Sequence, residues 1–172
     1  MDDHFAARLV DAGGVATALI SLGAACGVRV WATGRSEEKR AAAVALGADQ
    51  AFEPGARLPE RVDAVMETTG AATWSHSIRS LKPGGVLVIS GATTGDAPPA
   101  ELTRIFFLQL SVIGSTMGTF DELGRLVRLC VDRGVRPQID RTLALADARA
   151  GFEQMLTGEL RGKIVFTLQE DR

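Results

Sequence analysis

Short apolar runs alternate with helix-patterned stretches along most of this 172-residue chain. Strands that alternate with helices pair in parallel, because each crossover helix carries the chain back across the sheet. The pattern predicts strands at Ala7–Val10, Val28–Ala32, Asp63–Glu67, Val86–Ser90 and Ser111–Gly114, with a shorter one at Ala51-Phe52. Helices are predicted at Val15–Ala25, from Ser36 as N-cap to about Leu46, at Ala71–Leu81, Leu102–Leu110 and Phe120–Arg133. Gly47 stops the second helix, and Pro83-Gly84-Gly85 closes the third. Val15, Leu19, Ile20 and Leu22 form the apolar face of the first helix; Leu123, Leu126, Val127 and Cys130 form that of the last. After Arg133 the texture changes to an extended stretch at Pro137–Arg141, a helix at Ala146–Leu156 and a strand at Gly162–Leu168. The expected fold is α/β, a Rossmann-type doubly wound parallel sheet with a short C-terminal strand-helix-strand extension.

Composition narrows the function classes. Nineteen Lys and Arg against 21 Asp and Glu leave a formal charge of -2, so no basic excess drives nucleic-acid binding. There is no tyrosine, which excludes the Tyr-Lys acid chemistry of short-chain dehydrogenases. Cys26 and Cys130 lack a second cysteine at ligand spacing and read as small core residues; His4 and His76 are also isolated. The acidic start carries no signal-peptide pattern, and no apolar run is long enough to span a membrane. A reducing, cytoplasmic location is the expectation.

The first turn reads Asp11-Ala12-Gly13-Gly14-Val15-Ala16. A dinucleotide fingerprint needs glycines for a tight turn and for backbone approach to the pyrophosphate. Gly13 and Gly14 suit that approach, and the amides opening the helix at Val15 suit an anion. Asp11 stands where the fingerprint has its first glycine. A tight turn without a ligand fits the same residues.

The second strand ends in Thr33-Gly34-Arg35-Ser36, with Lys39 one helical turn on. An NAD site places a carboxylate about 20 residues after the fingerprint, to hold the ribose 2′-hydroxyl. None is present at this strand end. Gly34 leaves room, and Arg35, Ser36 and Lys39 offer a 2′-phosphate cations and a hydroxyl. NADP is therefore expected ahead of NAD. Pairing of Arg35 and Lys39 with Glu37 or Glu38 is the alternative. Further strand ends at Thr68-Thr69-Gly70, Gly91-Ala92-Thr93 and Gly114-Ser115-Thr116-Met117 are built of small residues that admit a flat ring close to the backbone. Ordinary βα turns use the same residue types.

These motifs, in this order, resemble the cofactor-binding half of the medium-chain dehydrogenase/reductases, the zinc-type alcohol dehydrogenase and quinone oxidoreductase superfamily. The resemblance runs from Leu9–Thr17 through Gly27–Thr33, Ser36–Lys39, Leu46–Asp49 and Leu81–Gly85 to Gly162–Val165. It implies an NADP-binding oxidoreductase acting on an alcohol, carbonyl or quinone, with Gly91, Ala92, Thr93, Ser115, Thr116 and Met117 beside the nicotinamide. It also implies a Rossmann domain over 1–134 and an extension over 135–172. In the family that extension returns to a GroES-like domain, which supplies the catalytic zinc ligands or the substrate pocket. This chain carries no such ligands, so no catalytic or metal residue is assigned to it. The partners expected are a small-molecule substrate and either a second copy or a protein supplying that domain, with no nucleic acid or membrane. A non-catalytic nucleotide-binding domain is the alternative class.

Overall fold

The computed structural model describes residues 14–157, 160 and 162–168, together with the backbone of 6–10. Two compact units divide the chain, Met1–Val135 and Arg136–Arg172.

In the first unit β1 (Ala6–Val10) leads to α1 (Gly14–Ala25), β2 (Arg29–Thr33), α2 (Glu37–Ala45) and β3 (Gln50–Phe52). Then come β4 (Val62–Glu67), α3 (Ala71–Ser80), β5 (Leu81–Ile89), α4 (Leu102–Phe107), β6 (Ser111–Gly114) and α5 (Phe120–Arg133). The six strands form one sheet in the order β3-β2-β1-β4-β5-β6, every pairing parallel. The order reverses between β1 and β4, the doubly wound topology that opens a crevice at the carboxyl ends of the strands.

Side-chain alternation along the strands builds two cores. Val30 and Ala32 of β2 pack with Ala16, Ile20, Ala43 and Ala48, while Trp31 packs with Val62, Val65, Trp74, Ile78, Leu81 and Leu87. The first core is made largely of alanine because its helices lie close to the sheet: a Cβ on Gly23 would sit 2.6 Å from Val30 Cγ2. The second is filled by large side chains, each contributing about 1.5–3 kcal/mol on full burial.

Several expectations need correction. Cys26 is exposed and Cys130 half-buried, so neither is a sealed core residue. Cys26 follows the last residue of α1 in a turn that Gly27 completes at a φ of 73°, which carries it to the surface. Val15 is exposed; Ala16 and Ile20 are the buried residues of α1. Leu81 opens β5 rather than ending α3. Its side chain is fully buried and it pairs with Val62, so Pro83-Gly84-Gly85 forms a bulge inside the strand. Across that bulge the register moves from Val62↔Leu81 to Ala64↔Val86. The helix predicted to reach Leu110 ends at Phe107. The predicted apolar face of α5 is exposed at Leu123, Leu126 and Val127.

In the second unit β7 (Ile139–Ala144) pairs in parallel with β8 (Lys163–Thr167). A single 3-10 turn at Leu145–Asp147 and α6 (Ala148–Thr157) connect them. Gly151 is buried where a Cβ would lie 2.8 Å from the Phe166 ring, and the Phe152 ring packs against the same ring at 5.6 Å between centroids, tilted by 40°. No described helix is long and apolar enough to cross a membrane.

Candidate functional site

In a parallel sheet all carboxyl ends lie on one edge. The structure thereby brings together the segments after β1, β2, β4, β5 and β6, which hold the residues singled out from the sequence. Gly13 lies outside the described residues. Gly14 is the first residue of α1 and Val15 stands exposed beside it. The amides of this first turn have no partner within the helix and are suited to an anion.

At the end of β2, Thr33 is buried and Gly34 donates its N–H to Phe52 O at 2.9 Å, tying the turn to β3. Arg35 and Ser36 are exposed, and Lys39 is half-buried. Ser36 Oγ accepts from Lys39 N at 3.3 Å, so this serine caps α2 as its position predicts. Arg40 was not singled out by the sequence pattern. Its guanidinium donates to Gly34 O at 3.0 Å and lies 3.5 Å from Glu53 Oε1, bracing the turn against the end of β3. The carboxylate of an NAD-type strand end is absent here, and the cations of the turn stand in its place.

At β4 the sequence reading missed the central residue. Glu67, the last of the strand, has no exposed surface. Its Oε1 accepts from Thr69 N at 2.8 Å, Gly70 N at 3.0 Å and Thr73 Oγ1 at 2.8 Å, and its Oε2 accepts from Ser77 Oγ at 2.5 Å. A buried carboxylate is tolerated only with such a full set of donors. Of its side-chain donors, Thr73 and Ser77 stand four residues apart on α3, and that pair of hydroxyls is the one signal the sequence offers.

Beyond β5, Gly91 is half-buried while Ala92 and Thr93 are exposed. Gly91 has no room for a side chain, since a Cβ there would sit 2.7 Å from Thr68 O. Gly70, at a φ of 92°, is equally constrained, because a Cβ on it would collide with Gly95 O. Past β6, Ser115 N donates to Ile89 O at 2.8 Å; Ser115, Thr116 and Met117 are all exposed, with Met117 in the left-handed region at a φ of 48°. Among the described residues no three His, Cys, Asp or Glu side chains group as metal ligands.

Such an edge suits a long ligand with an anionic middle. The amides at the start of α1 suit an anion, the cations after β2 suit a second charged group, and the close-packed backbone after β4 and β5 suits a flat one.

Comparison with known proteins gives the same direction. A family model described as zinc-binding dehydrogenase matches residues 14–132. A zinc-type alcohol dehydrogenase-like protein from Leptosphaeria maculans is 31% identical over 176 residues, covering 91% of this chain and 48% of that protein. An alcohol dehydrogenase from Geobacillus stearothermophilus is 29% identical over 168 residues, covering 92% of this chain and 49% of its own. Among solved structures, an NAD-dependent alcohol dehydrogenase superposes with a TM-score of 0.82 at 30% identity, over 95% of this chain and 51% of that one. The chain spans about half the length of the curated relatives it matches.

Proposed function

The chain belongs to the zinc-binding dehydrogenase family, and from that premise we propose that it is the NADP(H)-binding part of an oxidoreductase. The reaction is hydride transfer to or from a small alcohol, carbonyl or quinone, in the cytoplasm. The bound nicotinamide supplies the hydride chemistry, and the protein supplies binding and orientation. Gly13, Gly14 and Val15 receive the pyrophosphate at the start of α1. Thr33, Gly34, Arg35, Ser36 and Lys39 surround the adenosine ribose and its 2′-phosphate. Thr69, Gly91, Ala92, Thr93, Ser115, Thr116 and Met117 line the nicotinamide half. We read 1–134 as the cofactor-binding domain. Residues 135–172 then form an extension that joins a GroES-like domain, carried by a partner or a longer protein, where substrate is chosen.

The observation that carries the preference for NADP(H) is the end of β2. Gly34 is followed by Arg35, Ser36 and Lys39, and the strand does not end in a carboxylate that would repel a phosphate. The related NAD-dependent alcohol dehydrogenase makes NAD the competing ligand. Titration of the purified chain with NADPH and NADH decides between them. NADPH should bind more tightly. Arg35→Ala should weaken NADPH by about tenfold, the worth of one charge-assisted contact, and NADH by little. Equal losses for both would remove the phosphate role of Arg35, and no saturable binding of either would end the reading.

A further inference from the structure

We propose that Glu67 is the positioning residue of the nicotinamide half of this edge. From inside the sheet it holds two strand-end loops in one register. The inference rests on the cofactor reading above and names a residue that does not itself touch the ligand.

Glu67 fixes the turn after β4 by accepting from Thr69 N and Gly70 N. That turn in turn fixes the loop after β5. Thr69 O accepts from both Thr94 N and Thr94 Oγ1, each at 2.8 Å. Thr94 Oγ1 also accepts from Ala72 N at 3.1 Å, and Ala71 N donates to Gly95 O at 3.0 Å. The main chain of Glu67 joins in, its carbonyl accepting from Ser90 N at 2.9 Å. Thr94 and Gly95 therefore meet the chain at Thr69 and Ala71, in or next to the two residues whose amides the Glu67 carboxylate holds.

The packing leaves no slack in this relay. Gly91 against Thr68 O and Gly70 against Gly95 O are too close for any side chain. A shift of the first turn must be passed to Gly91, Ala92 and Thr93, the residues assigned to the nicotinamide. The segment after β2 is held differently, by Arg40 and by the main chain of Phe52. Glu67 is fully buried and its four donors are all in the turn after β4 or on α3, so its effect is expected in one half of the ligand.

The test compares binding of NADPH with that of 2′-phospho-ADP-ribose, which lacks the nicotinamide, to the full chain. Glu67→Leu keeps a side chain of similar reach and removes every acceptor; it should weaken NADPH about tenfold and leave the fragment within about twofold. Glu67→Gln retains one oxygen for Thr69, Gly70 and Thr73 and a donor for Ser77 Oγ, and should restore most of the affinity. Thr94→Val removes the hydroxyl bonds of the exposed outer link, to Thr69 O and from Ala72 N, and keeps the main-chain bond of Thr94 N. If Glu67→Leu does not fold, Thr94→Val carries the test, with a loss of about fivefold for NADPH alone. Equal weakening of both ligands would show a merely structural role and overturn the inference. Unchanged NADPH binding in Thr94→Val would overturn it too, while the cofactor reading stands. Absence of binding to the wild-type chain would overturn the cofactor reading and this inference with it.

Discussion

Helices α3 and α5 share a layered design and end in opposite states. α3 buries Thr73, Trp74, Ser77 and Ile78 against the sheet. α5 is longer, has a cleaner apolar stripe, and buries no residue among those described. Leu123, Leu126, Val127 and Val131 of that stripe are all exposed. Connectivity explains the contrast. α3 links two neighbouring strands, β4 and β5, so both of its ends are pinned to the sheet it crosses. α5 enters from β6, the outermost strand, whose four residues are exposed, and leads on to no further described strand of that sheet. A stripe records that a helix has a face to cover; the strands on either side decide whether the sheet covers it.

The largest test of that contrast is a pair of truncations read by urea unfolding. Ile78 has no exposed surface, and Ile78→Ala should cost about 2–5 kcal/mol through lost transfer energy and a residual cavity. Leu126→Ala removes a half-exposed side chain and should stay within about 0.5 kcal/mol. If the two losses are comparable, the α5 stripe is covered in solution and the contrast between the helices fails.

The same contrast marks what the sequence could and could not disclose. Parallel β/α order was legible because period and turn chemistry are local, and the strand ends were legible because small residues cluster there. Ser36 as a cap followed from its place before Glu37-Glu38-Lys39. Glu67 was not legible as a buried hub, because a carboxylate at a strand end is written the same way whether it meets water or four donors. Pro83-Gly84-Gly85 read as a terminator, whereas the partner strand β4 already holds Leu81 and turns those residues into a bulge. Arg40 and Cys26 were misjudged or passed over for a related reason. What surrounds a side chain at a helix or strand end depends on elements distant in sequence, here Gly34 and Glu53 for Arg40 and a surface turn for Cys26.

A smaller effect comes from the start of α5. A helix with little packing depends more on its own capping than a helix clamped to a sheet. Thr119 Oγ1 accepts from Glu122 N at 3.2 Å, and Glu122 Oε2 accepts from Thr119 N at 2.7 Å, a complete capping box. Thr119→Ala should cost about 1 kcal/mol. Because α5 is sparsely packed, the loss should appear as faster amide exchange in α5, with α3 unchanged. A uniform change across both helices would mean that they unfold as one unit.

The smallest effect is a pH dependence of the same cap. The Thr119 backbone N–H, and then its hydroxyl, hold the Glu122 carboxyl below its ordinary pKa. The sign follows from which state binds the proton more weakly. The folded helix keeps Glu122 ionised to lower pH than the unfolded chain does, so the cap is fully present above the ordinary glutamate range. It is lost as pH falls through the depressed value. At neutral pH nothing should change. Below the ordinary range, amide protection at the start of α5 should decline while that of α3 holds, until other carboxylates titrate. NMR titration of Glu122 should show the depressed midpoint, and Thr119→Ala, which removes the hydroxyl and keeps the backbone N–H, should return it only part of the way towards the ordinary value. A Glu122 midpoint that does not respond to Thr119→Ala would leave the backbone N–H of residue 119, which alanine retains, as the whole cause and remove the hydroxyl from it.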